Sequence, residues 1–214
     1  MAIVGPSGSG KSTFLALLAL ALRPARADAF SLLPLPLAGE GRGEGQQRHP
    51  HDIAALWSAN RDAPLARLRA EAIGFVPQTG LLLPFLNLRR NIALTQRITG
   101  RGDPARVEAL AARLGLSGVL DRKPDEVSVG QRQRAAVARA LAHDPPLLLA
   151  DEPTASVHPT QADEILGLLT ETAGAGTAVV VATHDIARAE AAGLEIVPCV
   201  PDADGAASSL ARAG

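Results

Sequence analysis

A short glycine-rich stretch near the start of the chain constrains the fold more than any other feature. Residues 5–13 read GPSGSGKST and match G-x-x-x-x-G-K-[ST], a pattern that builds a phosphate-binding loop between a strand and a helix. In such a loop the glycines let the backbone approach a polyphosphate, and successive N–H groups point inward around it. The sequence therefore predicts a nucleotide site formed by Gly5, Pro6, Ser7, Gly8, Ser9, Gly10, Lys11, Ser12 and Thr13.

Two side chains of this loop have chemistry of their own. Lys11 would reach the outer phosphates, and the Ser12 hydroxyl would bind Mg²⁺. The helix that follows offers its N-terminal dipole to the same anion. Only Ala2–Val4 can serve as a strand before the loop, where a full strand and often more is normal.

Composition narrows the possible partners. The 214 residues suit one domain, and Lys plus Arg (21) nearly balance Asp plus Glu (22). Because there is no basic excess, we expect no nucleic-acid partner. A single cysteine, Cys199, excludes an internal disulfide and suits a reducing compartment. No apolar run has the length needed to span a bilayer.

Strand and helix patterns alternate along the chain. The apolar strands are predicted at 2–4, 72–76, 146–150, 177–182 and 195–200. The helices are predicted at 11–22, 60–70, 87–98, 105–114, 117–122, 131–142, 160–172 and 186–192. Ser117 is the predicted N-cap of the helix at 117–122. Such alternation predicts an α/β fold with a mostly parallel sheet flanked by helices. Residues 31–50 are rich in Pro, Gly and charge without a period, so they are predicted to be an irregular insertion.

Polar side chains follow each predicted strand. Gln78 follows one strand, Asp151 and Glu152 follow another, and His184 follows a third. Because the carboxyl ends of parallel strands meet at one edge of a sheet, these residues are expected beside the phosphate loop. There, Asp151 would help to hold Mg²⁺, and Glu152 would act as the general base that polarises a water. His184 is expected to touch the terminal phosphate and that water.

A second anion-binding end is predicted at residues 127–131, which read VSVGQ. Ser128 and Gly130 precede a helix predicted from Gln131, which makes another helix N-terminus with small residues. One sheet edge does not need two phosphate-binding ends. We therefore expect Ser128, Val129, Gly130 and Gln131 to act on the nucleotide of a second copy, in a head-to-tail dimer.

These segments together resemble a known family. GPSGSGKST, Gln78, VSVGQRQR, LLLADEPTAS and ATHD are similar, in order and spacing, to the ATP-binding subunits of ABC transporters. The resemblance covers residues 1–30 and about 70–187, and within the family it is strongest for the group that serves lipoprotein release and macrolide efflux. It implies a P-loop NTPase with an ABC-type helical subdomain at about 80–140, in a single domain spanning 1–214. It also implies that Gln78 links Mg²⁺ to the membrane partner.

The resemblance carries further expectations about cofactors and partners. It implies ATP and Mg²⁺ as cofactors, a transmembrane permease subunit and a second ATP-binding subunit as partners, and a cytoplasmic location on the inner face of the plasma membrane.

The sequence also departs from the family at several places. The antiparallel strands and the adenine-stacking aromatic that usually precede the loop are missing, which indicates an upstream start or a truncated remnant. Val129 replaces a usual glycine, and His158 replaces a usual aspartate.

Three functions remain open at this stage. The first is an ATPase that drives a transporter of exporter type from the cytoplasmic side. The second is a truncated or degenerate nucleotide-binding protein with little turnover. It is favoured by the lack of the family's strands before the phosphate loop, by the insertion and by His158. The third is a soluble ABC-type ATPase, which the absence of a long heptad insertion, zinc cysteines and a basic stripe disfavours.

Overall fold

A six-stranded sheet forms the centre of the computed structural model, which describes residues 1–32, 50–202 and 208–211. The strands are β1 (Ala2–Val4), β2 (Ser31–Leu32), β3 (His51–Asp52), β4 (Ile73–Val76), β5 (Leu147–Asp151), β6 (Ala178–Thr183), β7 (Ile196–Pro201) and β8 (Ser208–Leu210). The sheet order is β4-β5-β6-β1-β7-β8. The first five strands of that order run parallel, and β8 pairs antiparallel with β7. The predicted mostly parallel sheet is confirmed.

Helices cover both faces of this sheet. They are α1 (Lys11–Leu18), α2 (Ile53–Ser58), α3 (Asp62–Ala72), α4 (Leu88–Ile92), α5 (Leu94–Thr99), α6 (Pro104–Arg113), α7 (Val129–Leu141), α8 (Pro159–Gly174) and α9 (Ile186–Ala191). Helices α4 to α7 occupy most of the stretch predicted as a helical subdomain. That assignment, and the single domain over 1–214, stay predictions. Across the described ranges, no helix combines the length and the apolar character needed to cross a bilayer.

The strands read as unbroken apolar runs because both of their faces are buried. In β5, Leu148 and Ala150 belong to one core cluster, and Leu149 belongs to the other. The first cluster joins the sheet to α4, α6, α7 and α8, and the second joins it to α1, α2 and α3. Successive side chains of a strand therefore point to opposite faces of the sheet, and all of them are apolar because both faces are buried, as is usual in parallel sheets.

Several predicted boundaries were wrong for local reasons. The first helix ends at Leu18 rather than 22, because Leu20 takes a left-handed conformation with φ 55°. Ser117 is not an N-cap; it begins a three-residue 3₁₀ turn that follows Leu116, and its side chain makes no capping bond. The helix after the VSVGQ segment begins at Val129, because Ser128 caps it.

The predicted insertion at 31–50 lies mostly outside the described residues. At its two borders, Ser31 pairs with Asp52 and Leu32 pairs with His51 in a short antiparallel ladder. Asp52 then caps α2, accepting a bond from the Ala55 N–H at 2.8 Å. The chain on either side of residues 33–49 is therefore paired rather than irregular.

His143 is a buried histidine at the end of α7 and makes stability sensitive to pH. Burial lowers the pKa of His143 from 6.5 to about 4, and the positive charge of Arg101 acts in the same direction. The unfolded chain therefore binds more protons than the folded chain between these pH values, so stability falls as pH drops through this window. The expected loss attributable to His143 is about 3 kcal/mol, at 1.36 kcal/mol for each unit of pKa.

Urea unfolding of the parent and of His143→Leu, at pH values from 6.5 down to about 4, measures this loss. The variant should lose markedly less stability than the parent over that range. His51→Leu, at an exposed position, is the matched control and should follow the parent. Parallel curves for the parent and His143→Leu would contradict the assignment.

Candidate functional site

The phosphate loop connects β1 to α1 and is shaped by two glycines in left-handed conformations. Gly8 has φ 83°, and Gly10, the residue before α1, has φ 85°. A side chain at either position would be strained, so the glycines are required by the backbone path. Lys11 is 6% exposed, and its Nζ donates to the carbonyls of Gly5 and Pro6 at 2.8 Å each. The lysine thus lies folded against its own loop, at the point where the outer phosphates of a nucleotide would compete for it.

The loop is supported from behind by β7. A Cβ placed on Gly5 would lie 2.6 Å from the Cys199 carbonyl oxygen, so only glycine fits there. The Cys199 thiol donates to the Ser9 carbonyl at 2.8 Å, and both residues are buried. From the sequence, Cys199 indicates only that the chain has no internal disulfide. No local pattern could place it here, because it lies 190 residues from Ser9.

Asp151 is the last residue of β5 and has a carboxylate oxygen available to bind a cation. The residue is 7% exposed, and its Oδ1 is buried without a hydrogen-bond partner. Burial raises the pKa of Asp151, while the Ser12 hydroxyl and the charge of Lys11 oppose that rise. A buried carboxylate oxygen with no partner, close to a hydroxyl, is a donor set that suits Mg²⁺. Asp151 and Ser12 therefore fit the metal predicted from the sequence.

Glu152 is held in a fixed position by two neighbours at the end of β6. Its Oε2 accepts a bond from the Thr183 hydroxyl at 3.2 Å, and its Oε1 lies 2.9 Å from Nδ1 of His184. Glu152 also has φ 45°, which is rare for a residue other than glycine. Its N–H donates to the Ala182 carbonyl at 2.9 Å. The carboxylate is thus bonded through both of its oxygens, and the residue, although 8% exposed, still lines the cleft in front of it.

An open cleft of about 460 Å³ lies in front of these groups. It is lined by Ser7, Gly8, Gly10, Lys11, Ser12, Thr13, Gln78, Glu152 and His184. The structure therefore brings the loop and the residues after β4, β5 and β6 to one edge of the sheet. Pro6, Ser9 and Asp151 are not among the lining residues. Pro6 accepts the Lys11 bond through its carbonyl, and Ser9 and Asp151 are buried.

The VSVGQ segment lies away from this cleft. Ser128 accepts a bond from the Gln131 N–H at 3.1 Å, and Gln131 accepts one from the Ser128 N–H at 2.9 Å, which forms a capping box. Val129 is 54% exposed, and Gly130 packs beside Ser156 and Val157. These four residues are not among those that line the cleft of the same chain.

His158, one of the two residues that depart from the family pattern, follows Val157, which packs against the VSVGQ segment. It is exposed at the start of α8, and its Nδ1 lies 3.0 Å from the Thr160 hydroxyl. It makes no side-chain cap for that helix. Its chain neighbour Val157 packs beside Gly130, and His158 is not among the residues that line the cleft.

The site has the architecture of a P-loop NTPase. A glycine-rich loop connects a strand to a helix, and a carboxylate lies at the end of a neighbouring parallel strand. A family profile described as "ABC transporter" matches residues 1–155. The chain belongs to the ABC transporter family.

Relatives and solved structures agree with this assignment. The chain is 38% identical over 186 residues to an uncharacterized ABC transporter ATP-binding protein, Rv0073, of Mycobacterium tuberculosis H37Rv; the match covers 86% of this chain and 50% of that protein. It is 40% identical to the lipoprotein-releasing system ATP-binding protein LolD of Anaeromyxobacter dehalogenans, over 86% of this chain and 70% of LolD. The chain thus spans about half the length of the mycobacterial relative.

The fold matches a solved dimer of an ATP-binding cassette. A structure of the ATP-binding cassette MJ0796 in a post-hydrolysis state, bound to ADP and Pi, aligns with a TM-score of 0.76 and 30% identity. The alignment covers 100% of this chain and 85% of that one. The resemblance predicted from the sequence is therefore confirmed at the level of family and fold.

Proposed function

We propose that this chain binds ATP with Mg²⁺, hydrolyses it, and powers an ABC transporter of exporter type. The observation that carries the proposal is the cleft in which the phosphate loop and Glu152 face each other. One side of the cleft offers a cradle for phosphates, and the other offers a carboxylate placed to accept a proton. Both are needed for hydrolysis, whereas a protein that only binds nucleotide needs the first alone.

The polar groups in and next to the cleft have specific tasks in this proposal. Lys11 releases the carbonyls of Gly5 and Pro6 and binds the outer phosphates. Ser12, Asp151 and Gln78 would hold Mg²⁺, which neutralises charge on the phosphates when it is bound. The Ser12 hydroxyl already lies close enough to Asp151 to influence its pKa, so these two groups need little rearrangement.

Glu152 is the proposed general base. Thr183 and His184 bond to its two carboxylate oxygens and hold the side chain at the cleft. With the triphosphate in the loop, the carboxylate accepts a proton from the water that attacks the terminal phosphate in line. His184, whose side chain is 66% exposed, lies between Glu152 and solvent and would contact that phosphate.

A second copy completes the site in this proposal. Ser128, Val129, Gly130 and Gln131 lie outside the cleft of their own chain, and Val129 is exposed. The capping box leaves the N-terminus of α7 ordered and free to face an anion on another molecule. The solved cassette MJ0796 is a dimer bound to ADP and Pi, which supports a second copy in this proposal, and we place that copy head to tail with the first.

The transport role rests on the relatives. LolD is named for a lipoprotein-releasing system, and from it we infer an export function and a permease partner for this chain. A permease partner would place the protein at the inner face of the membrane. Co-purification with a permease encoded beside it, in detergent, tests this step separately from ATP hydrolysis.

The enzymatic part is tested by calorimetry and phosphate release. Titration with Mg²⁺ and ATP should show binding, and steady-state phosphate release should rise more steeply than linearly with protein concentration if two copies form the site. Binding without any phosphate release, at every protein concentration, would overturn the proposal in favour of a nucleotide-binding protein without turnover.

Discrimination between nucleotide bases is expected to be weak in this chain. The residues that line the described cleft include no aromatic ring, and base recognition by stacking needs one. The phosphate loop and Mg²⁺ would therefore supply most of the affinity. Calorimetry with ATP and GTP should give dissociation constants within about tenfold of each other, a difference of no more than about 1.4 kcal/mol. A much stronger preference for ATP would show that an adenine pocket exists elsewhere.

A further inference from the structure

The turn that carries Gln78 into the cleft is not held by its own side chains. Residues 77–80, here called the Gln78 turn, close with a bond of 3.1 Å from the Gly80 N–H to the Pro77 carbonyl. Gln78 and Thr79 are exposed, and the pairing of β4 with β5 ends at Val76. Something outside the turn must therefore set the direction in which Gln78 points.

Arg139 supplies that support. Its Nη2 donates to the Gly80 carbonyl at 3.1 Å, and its Nη1 donates to the Leu81 carbonyl at 2.9 Å. The two bonds use the planar fork of the guanidinium on two successive carbonyls. Burial also lowers the pKa of Arg139, so this cation has lost much of its water and depends on these acceptors.

The backbone after the turn is strained in a way that needs such a support. Leu81 has φ 41°, a left-handed conformation that is uncommon for leucine, and its side chain is 67% exposed. Packing of the leucine side chain therefore does not enforce this conformation. A strained backbone persists only where its surroundings hold it. The Arg139 guanidinium does so here by donating to the Leu81 carbonyl.

Arg139 belongs to α7, the helix that begins at the VSVGQ segment. The same helix also lies close to the turn, since a Cβ added to Gly80 would lie 3.5 Å from Oε1 of Gln133 and 3.6 Å from the Arg132 carbonyl. The Gln78 turn thus lies beside α7 and is bonded to it through Arg139. A displacement of α7 would be transmitted to Gln78.

We propose that Arg139 is a positioning residue that fixes the Gln78 turn on α7, so that the Gln78 amide is held at the proposed Mg²⁺ site. This inference rests on the proposed ATPase function. It assigns to α7 a second task, which is to set the position of Gln78 in its own cleft in addition to presenting the VSVGQ segment.

Replacing Arg139 by methionine removes both bonds but keeps the length of the side chain. We expect the rate of ATP hydrolysis to fall between about ten- and a hundredfold, the range that small misplacements of catalytic groups can cause. The Mg²⁺ concentration that gives half of the maximal rate should rise. Nucleotide affinity without Mg²⁺ should stay unchanged, because the phosphate loop is untouched. Arg139→Lys, which keeps the charge but lacks the fork, should fall between parent and Arg139→Met.

A double-mutant cycle with Gln78 separates positioning from general loosening. Gln78→Ala should raise the Mg²⁺ requirement by itself, and adding Arg139→Met should then change the requirement little further. Equal effects of Arg139→Met with and without Gln78 would show that the arginine acts elsewhere and would overturn the inference.

Arg106 provides a matched control at the same end of α7. It donates to the Leu141 carbonyl at 3.3 and 3.1 Å and to Asp144 at 2.7 Å, without touching the Gln78 turn. Arg106→Met therefore loses a comparable set of bonds. It should lower thermal stability as Arg139→Met does, but it should leave the Mg²⁺ requirement at the parent value. An equal Mg²⁺ shift in both variants would also overturn the inference.

A second readout does not depend on activity. Hydrogen–deuterium exchange of residues 77–82 should quicken in Arg139→Met, starting with the Gly80 N–H, and should keep the parent rate in Arg106→Met. Unchanged exchange in Arg139→Met would refute the support of the turn. If the parent binds no nucleotide in calorimetry, the proposed function fails, while the exchange result still decides whether Arg139 holds the turn.

Discussion

Replacing Glu152 by glutamine is expected to slow phosphate release by about two to four orders of magnitude, the usual contribution of a general base. Glutamine keeps the shape of the side chain and can still accept a bond from the Thr183 hydroxyl, so the local structure should survive. What is lost is the charged oxygen that accepts a proton from water. ATP binding should persist, and the ATP-bound dimer should accumulate, because the step that separates the two copies is blocked.

The measurement combines steady-state phosphate release with size-exclusion chromatography in Mg²⁺ and ATP. Glu190→Gln is the matched control, since Glu190 is an exposed carboxylate on α9 and lies outside the cleft lining. The control should hydrolyse ATP at the parent rate and should not accumulate as a dimer. Parent-like turnover in Glu152→Gln would remove Glu152 from the role of base.

Replacing Lys11 by methionine should abolish most of the affinity for triphosphate. Lys11 is buried at the centre of the phosphate loop, and its ammonium is the cation placed to bind the outer phosphates. Hydrogen bonds to charged groups are worth about 1.5–3 kcal/mol, which corresponds to roughly a ten- to hundredfold weaker affinity. Methionine has a similar length, so the loop should not collapse into the space.

Calorimetric titration with ATP, ADP and AMP tests this prediction. The loss should be large for ATP and small for AMP, because AMP lacks the outer phosphates. Lys123→Met serves as the control, since Lys123 is exposed and lies outside the cleft lining. An ATP affinity that does not change in Lys11→Met would mean that the ammonium stays bonded to Gly5 and Pro6 and does not bind phosphate.

The sequence alone determined the phosphate loop and the class of fold. The glycines at positions 8 and 10 are required by a left-handed backbone, and a requirement of that kind is local and readable in a short pattern. The apolar runs around Leu148 and Val180 were predicted as strands, and their alternation with helices predicted a mostly parallel sheet buried on both faces. Because such strands end at one edge, the sequence also placed Gln78, Glu152 and His184 near the loop.

The tertiary structure alone decided how these residues are held. Thr183 and His184 hold Glu152 across 31 and 32 residues. Arg139 bonds to Gly80 and Leu81 across 59 and 58 residues, and Cys199 supports the loop across 190. None of these contacts has a periodicity or spacing to reveal it, because each depends on the reach of one side chain between elements that only the folded sheet brings together. Periodic burial can be read along a chain, whereas a bond between distant residues exists only after the strands and helices have packed.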